Sequence, residues 1–300
     1  MAVKEKPAVD HSAISGPSNG NGGSDTLNTL AAALSLPQPE VTDSFGDVIR
    51  GKVFEPPKIM VYGIDGVGKS TFCAQAPSPI FIQAGLDKGL EQIGPARLPI
   101  CESYADLISK LDRVASAKHE FSTLVVDNLS AIEALIYKRV CEANRWPTIT
   151  YPGFDRGEKL ATREWLEILD ILNKCHTRGM AILLVAHARR ERLGDPENPT
   201  VEQYAPALHT KTSGELFRKW VDATFFLTRR MAVRTEGQGL AEKKIGVAVG
   251  ADGGERVIRT TWTPGSAAKN RYDMPAEIPL PKTGSWDSVM GYIASFYEQK

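Results

Sequence analysis

The sequence predicts an α/β fold: a mostly parallel sheet flanked by helices, with C-terminal antiparallel strands added to it. Three observations carry this. Short apolar runs alternate with segments of helical apolar spacing, the pattern of strands buried on both faces by crossover helices. The first run, "KIMVYG", leads directly into "GIDGVGKST" at 63–71. That stretch fits G-x-x-x-x-G-K-[ST], which needs a strand before it and a helix after it to cradle a phosphate chain. Beyond residue 230, "EKKIGVAVG" and "ERVIRTTWT" alternate like antiparallel strands extending the sheet.

Residues 1–45 read as a disordered tail, because "HSAISGPSNGNGGSDT" has almost nothing to bury. Within it "LNTLAAALSL" fits either a transient partner-binding helix or an inert linker. From 46 to 300 the chain reads as one domain. After "KIMVYG" a helix follows Gly68, and "SPIFIQA" is the second strand. "SYADLISKLDRVA" places Leu107, Leu111 and Val114 at helical spacing. "FSTLVVDN" is the third strand and ends in Asp127; helices are expected at 130–144 and 158–177. "MAILLVAH" is the fourth strand, followed by a basic loop, a helix near 212–221, the strand "DATFFLTRR", the antiparallel pair and a closing helix, "SWDSVMGYIASFYEQ".

Of the 300 residues, 42% are hydrophobic, enough for a large core. The net charge is zero, so any nucleic acid must be held by a local patch rather than a global field. Cys73, Cys101, Cys141 and Cys175 are scattered, which reads as reduced thiols in a cytosol and not as a metal cluster. No apolar run approaches the ~20 residues of a membrane span, and the N-terminus lacks a signal-peptide pattern. A cytoplasmic protein with no membrane partner is expected.

The phosphate loop supplies the chemistry. Gly63, Gly66 and Gly68 let backbone N–H groups turn inward around phosphate oxygens, and Ile64, Asp65, Val67 and Thr71 complete the loop. Lys69 is placed to neutralise the β/γ charge of ATP, and the Ser70 hydroxyl to ligate Mg²⁺. Asp127, at the end of an apolar strand, fits the magnesium shell, although a strand-end Asp also serves as a turn or N-cap residue. Asn128 follows, where many ATPases carry a water-polarising Glu. His187 ends the fourth strand. It is either a loop residue or, if that strand lies between the strands of Lys69 and Asp127, a group facing the γ-phosphate.

Several nucleotide chemistries share this loop. A GTPase is disfavoured, since the only "NK", at Asn173, lacks the Asp of N-K-x-D. A nucleoside monophosphate kinase is the stronger rival. "GIDGVGKST" looks like a thymidylate kinase loop in which Asp65 would touch the acceptor, with "DRG" (155–157) and "RRERLGD" (189–195) as its DR motif and lid. Such kinases need no "LVVDN" strand and end soon after the lid. Here "AAKNRYDMP" (267–275) follows, where Lys269 and Arg271, two apart, project to one side if extended. They fit a solvated turn, or they resemble the paired Lys/Arg finger of hexameric DnaB-type helicases and the K-N-R-F-G of RadA-type proteins, which reach a neighbouring subunit's ATP.

"GIDGVGKST", "FSTLVVDNLSAIEALIY", "GMAILLVAHARRERLGDPE", "ALHTKTSGELFRKWVDATFF" and "AKNRYDMPAEIPL" together resemble the phage- and prophage-encoded RecA-like P-loop ATP-binding proteins associated with single-strand annealing and recombination. The resemblance spans about Lys58 to Leu280. It implies a RecA-like P-loop NTPase core, ATP and Mg²⁺, a homo-oligomer, single-stranded DNA and recombination or annealing proteins as partners, and the cytoplasm of a bacterial or phage-infected cell. In such proteins the loop after the fourth strand meets single-stranded DNA. Arg189, Arg190, Arg192, Lys211, Arg218 and Lys219 are then candidate phosphate contacts, with Tyr204 for stacking. Interspersed acids (Glu191, Asp195, Glu197, Glu202) leave an ordinary solvated loop open. One position departs from the family: Gly85 stands where a water-activating Glu is expected, and the nearest acid is Asp87. An ATPase coupled to recombination, a nucleotide kinase and an ATP-gated, non-hydrolysing adaptor therefore remain as readings. If the missing Glu limits turnover, Gly85→Glu raises the ATPase rate.

Overall fold

The computed structural model describes residues 40–41, 49–85, 89–194, 200–236, 243–249 and 254–298. The predicted helix in "LNTLAAALSL" lies outside them. Of the tail, Glu40–Val41 pairs antiparallel with Ile49–Arg50, so this short ladder straddles the expected boundary at 45.

In chain order the sheet elements are β1 (Lys58–Gly63), β2 (Pro79–Gln83), β3 (Thr123–Asp127), β4 (Ala181–Leu193), β5 (Val201–Pro206), β6 (Ala223–Arg229), β7 (Met231–Glu236), β8 (Lys243–Ala248), β9 (Arg256–Arg259), β10 (Lys269–Asn270) and β11 (Glu277–Pro279). The helices are α1 (Lys69–Cys73), α2 (Gly89–Ile93), α3 (Tyr104–Ser116), α4 (Leu129–Asn144), α5 (Arg156–Leu160), α6 (Thr162–Thr177), α7 (Glu215–Trp220) and α8 (Ser285–Glu298). The central sheet runs β11–β9–β6–β1–β4–β3–β2. Its middle, from β6 to β2, is parallel, and β9 and β11 continue it antiparallel. Hence β4 lies between the strand of the phosphate loop and the strand of Asp127.

Strand alternation divides the core in two. Met60 and Tyr62 of β1 pack on the face covered by α3, α4, α6 and α7, through Leu107, Ile132, Trp165 and Phe217. Ile59 and Val61 pack on the face covered by α1 and α8, through Phe72, Val289 and Ile293. Burying both faces explains why these strands read as unbroken apolar runs.

Three expectations are corrected. The basic loop after His187 is a strand: β4 continues to Leu193 and forms a hairpin with β5, pairing Arg189 with Ala205, Arg190 with Tyr204 and Glu191 with Gln203. The run "ARRERL" alternates inward (Arg189, Glu191, Leu193) with outward (Arg190, Arg192), a period of two that its charge disguises. Second, "EKKIGVAVG" does not extend the main sheet. Among the described residues it pairs, as β8, with β7 in a separate two-stranded ribbon. The chain leaves the sheet at Arg230 and returns at Glu255, whose carbonyl accepts from Arg230 N at 2.7 Å. The Arg230 guanidinium binds Glu255 and Glu277 and closes this neck. The helix predicted at 158–177 is two, α5 and α6, meeting at Ala161.

Tyr62 fixes the hairpin to the sheet. Its hydroxyl lies 3.0 Å from the Tyr204 carbonyl and 2.5 Å from that of Ala267, and its ring stacks on Phe226, which stacks on Tyr204. Burial holds this phenol well above its ordinary pKa, so it remains a neutral donor.

The close approach of β1 and β6 requires glycine at 63, where an added Cβ would stand 2.3 Å from the Leu227 carbonyl oxygen. Gly63→Ala is expected to cost about 2 kcal/mol or more of stability, read as a lower midpoint in urea unfolding.

Candidate functional site

The phosphate loop bridges β1 and α1, with Gly66 at φ +70° and Gly68 at φ +102°, where only glycine is unstrained. The Lys69 ammonium turns back into the loop, donating to the carbonyls of Gly63 (3.0 Å) and Ile64 (3.1 Å). Ser70 Oγ donates to Asp127 Oδ2 at 2.6 Å. Asp127 is only 7% exposed, so its carboxylate is directed into the site rather than solvated. A hydroxyl and a carboxylate oxygen side by side at the foot of a phosphate loop form the hard-oxygen pair that suits Mg²⁺, which takes few protein ligands and completes its shell with phosphate and water. The residues therefore fit both groups: the loop N–H groups and Lys69 for ATP, and Ser70 with Asp127 for the metal.

His187 joins this site through its ring. The Asn128 amide caps α4, its Oδ1 accepting from Ala131 N at 2.8 Å. That bond turns Nδ2 toward His187 Nε2, 3.2 Å away. His187 then accepts at Nε2 and donates from Nδ1 to Asp65 Oδ1 at 3.1 Å, which assigns the tautomer from its bonds. Through its backbone, His187 accepts from Ala207 N at 2.8 Å, at the exit of the hairpin. The structure thus brings Asp65, Lys69, Ser70, Asp127 and His187 together, with Asn128 as their link.

Gly85 sits in a constrained position. Its φ is +100°, and an added Cβ would lie 2.9 Å from the Ala131 Cβ on α4. A glutamate there is both strained and crowded, so this backbone offers no place for the missing base. Asp87 lies outside the described residues.

Lys269 and Arg271 sit elsewhere. β10 pairs with Ala223 and Thr224 at the start of β6, the end of the sheet opposite the chain's own phosphate loop. Lys269 Nζ donates to the carbonyls of Arg218 (2.9 Å), Lys219 and Val221 and so caps α7. Burial, with Arg271 beside it, draws this ammonium below its ordinary pKa. Arg271 is more exposed and makes one ion pair, to Asp222 at 3.2 Å.

The DNA candidates divide as the hairpin does. Arg190 and Arg192 are exposed on its outer face. Arg189 turns inward, bonded to Glu191 and Thr210. Lys211 pairs with Asp155 (3.2 Å), Lys219 with Glu215 (2.6 Å) and Arg190 with Glu202 (3.6 Å). Exposed pairs of this kind are weak, so a phosphate can displace them. Tyr204 has one ring face on Phe226. Asp195 and Glu197 lie outside the described residues.

Sequence reasoning missed Arg256. From β9 its Nη1 donates to the Val67 carbonyl at 3.3 Å and lies 2.7 Å from where a Cβ on Gly68 would stand. Cross-strand from it is Arg229, on the same face of the sheet. Opposed like charges repel, and here they concentrate positive charge beside the phosphate loop. Only the alternation of "RVIR" hinted at this. Also missed were Tyr151 and Phe154, which are 65% and 89% exposed in the loop ahead of α5. The cysteines take no part. All four are free, and burial raises their thiols, Cys101 and Cys175 to about 11.

Residues 55–272 match the family model described as AAA domain. No curated protein matches the chain.

Removing the guanidinium in Arg256→Ala is expected to weaken ATP binding about tenfold, the size of one charge-assisted contact, in calorimetric titration. Gly85→Glu is expected to lower the thermal midpoint without raising ATP turnover. A faster mutant of undiminished stability would restore the missing-base reading.

Proposed function

From the premise that this chain belongs to the AAA-domain family of P-loop ATPases, with the ATP-binding fold that this entails, we propose that it binds Mg²⁺–ATP and uses the state of the nucleotide to control a grip on single-stranded DNA. On this reading it acts as a homo-oligomer beside recombination or annealing proteins, of the phage and prophage kind, in the cytoplasm. One observation supports this most: His187 touches Asp65 of the phosphate loop with its ring and the hairpin exit with its backbone carbonyl. A γ-phosphate that competes with Asp65 for the His187 Nδ1–H alters the support of Ala207, and with it the hairpin that carries Arg190 and Arg192. Tyr151 and Phe154 lie on the loop that Asp155 ties to Lys211, and they offer ring faces for unpaired bases beside those cations.

When bound, Mg²⁺ and the triphosphate bring the reactive phosphoanhydride. The chain's own groups bind and orient it: Lys69 and the loop N–H groups hold the phosphates, Ser70 and Asp127 hold the metal, and Arg256 braces the loop. Arg271, more exposed and less committed than Lys269, is the better candidate for a finger acting on a neighbouring subunit. The kinase reading weakens, because Asp65 is engaged by His187 and residues 189–193 are hairpin strand rather than lid. The adaptor reading keeps a specific support in the closed position at Gly85.

Single-turnover hydrolysis of ATP with and without oligothymidylate is the test. Stimulation by the oligonucleotide is expected. Lys69→Ala should lose ATP affinity about 10- to 100-fold, and Asp127→Asn should lose the Mg²⁺ dependence. Tight ATP binding with no turnover under either condition would favour the adaptor; phosphate transfer to a nucleoside monophosphate would establish the kinase.

A further inference from the structure

Beneath the β4–β5 hairpin lies a cavity of about 190 Å³, walled by Met60, Leu193 and Trp262 and lined also by the exposed Arg218. Two of the residues that line it each carry a buried polar atom without a hydrogen-bond partner among the described residues: Thr224 Oγ1 and Arg189 Nε. Thr224 is only 3% exposed and stands beside Met60 in the sheet. Nη2 of Arg189 is occupied, bonding Glu191 and Thr210, while its Nε–H has no partner among the described residues. An orphaned buried donor costs ~1–3 kcal/mol, and two around one cavity are a cost that an occupant would relieve.

We propose that this cavity receives one unpaired nucleobase, its sugar and phosphate leaving past Arg218. The inference rests on the single-stranded DNA reading above and adds a base subsite to it. Size is the first argument: a cavity of ~150 Å³ holds benzene, so this volume admits one heterocycle and little more. Chemistry is the second. A base has apolar ring faces to lie against Met60, Leu193 and Trp262, and an edge with a carbonyl or ring nitrogen that can accept from Arg189 Nε–H. The Thr224 hydroxyl donates or accepts and so serves either edge. Water alone would leave the apolar walls uncovered. Trp262, 52% exposed at the mouth, presents a ring on which the adjoining base can stack.

The test uses the full-length protein with Mg²⁺–ATP and three probes: oligothymidylate, the same strand with abasic sugars, and free deoxythymidine monophosphate. Wild type is expected to bind oligothymidylate about tenfold more tightly than the abasic strand. Thr224→Val, which removes the hydroxyl at constant shape, should erase that difference. Because the hydroxyl has no partner, the substitution should not lower the thermal midpoint, so a weaker binder remains a folded one. Ala268→Leu, which fills the cavity from its wall, should do the same. Undiminished oligothymidylate preference in Thr224→Val and Ala268→Leu would overturn the subsite while leaving strand binding intact. Sensitivity of free deoxythymidine monophosphate alone to Thr224→Val would uphold the pocket with a free nucleotide as its ligand. If ATP binds but no probe does, both the strand reading and the subsite fall.

Discussion

The hydrogen bond between Ser70 Oγ and Asp127 Oδ2 spans two strands that are not neighbours. β4 lies between β1 and β3, so the 2.6 Å contact between Ser70, just after β1, and Asp127, at the end of β3, has to pass over β4. Several features follow from that geometry. The loop must rise from β1 and turn at once into α1, which places Ser70 above the sheet, and the left-handed conformation at Gly68 makes the turn. Asp127 must stop β3 level with the loop, and Asn128 starts α4 immediately by capping it. The strand beneath the contact is then placed to sense whatever sits on top, and His187 is the residue at that position.

That placement matters because β4 does not end there. A strand that stopped at His187 would report on the nucleotide site to a loop. This one passes straight into the hairpin, and Tyr62 pins the returning strand through the carbonyl of Tyr204. Hydrogen-bonded sheet transmits a displacement with less loss than a loop of the same length, since neighbouring rungs must move together. The hairpin therefore has two attachments to the phosphate-loop strand: one at His187, which depends on the site's polar contacts, and one at Tyr62, which is buried and fixed. Motion about the second in response to the first is a physical route from nucleotide to hairpin, and each attachment can be removed by one substitution.

Much of this was legible in the sequence, for identifiable reasons. "KIMVYGIDGVGKST" and "LVVDN" are local signals: an apolar strand that runs into a glycine loop, and one that ends in a carboxylate. Their elements formed as read. His187 was placed by strand order, which the parallel pairing bears out. The hairpin was missed because its alternation is carried by charges whose inner members, Arg189 and Glu191, neutralise each other under the sheet edge. Such pairing is invisible without the partner Thr210. Arg256 was missed because it lies far along the chain from the loop it touches, and nothing local distinguishes it from Arg259. Lys269 looked like a free cation in a basic turn. Its carbonyl partners at the end of α7 come from a different stretch of chain.

The departure at Gly85 gains force once the geometry is known. Rapid hydrolysis needs a base aimed at the attacking water, and among the described residues each nearby candidate is otherwise committed. Asn128 is an amide and caps a helix. Both ring nitrogens of His187 are engaged, one by Asn128 and one by Asp65. Glu133, farther along α4, accepts from His209 N at 3.1 and 3.2 Å and from the Ser213 hydroxyl. A glutamate cannot enter at 85 without displacing α4, the helix that carries the Asn128 cap. The groups that fit a triphosphate thus stand together, while position 85 leaves no unstrained room for a glutamate. On the proposed reading, such a site keeps its nucleotide for long relative to the motion it controls. On the proposed reading, the lifetime of the grip on the strand is then set by the polar contacts of Asp65, His187 and Asn128 rather than by the speed of the chemical step.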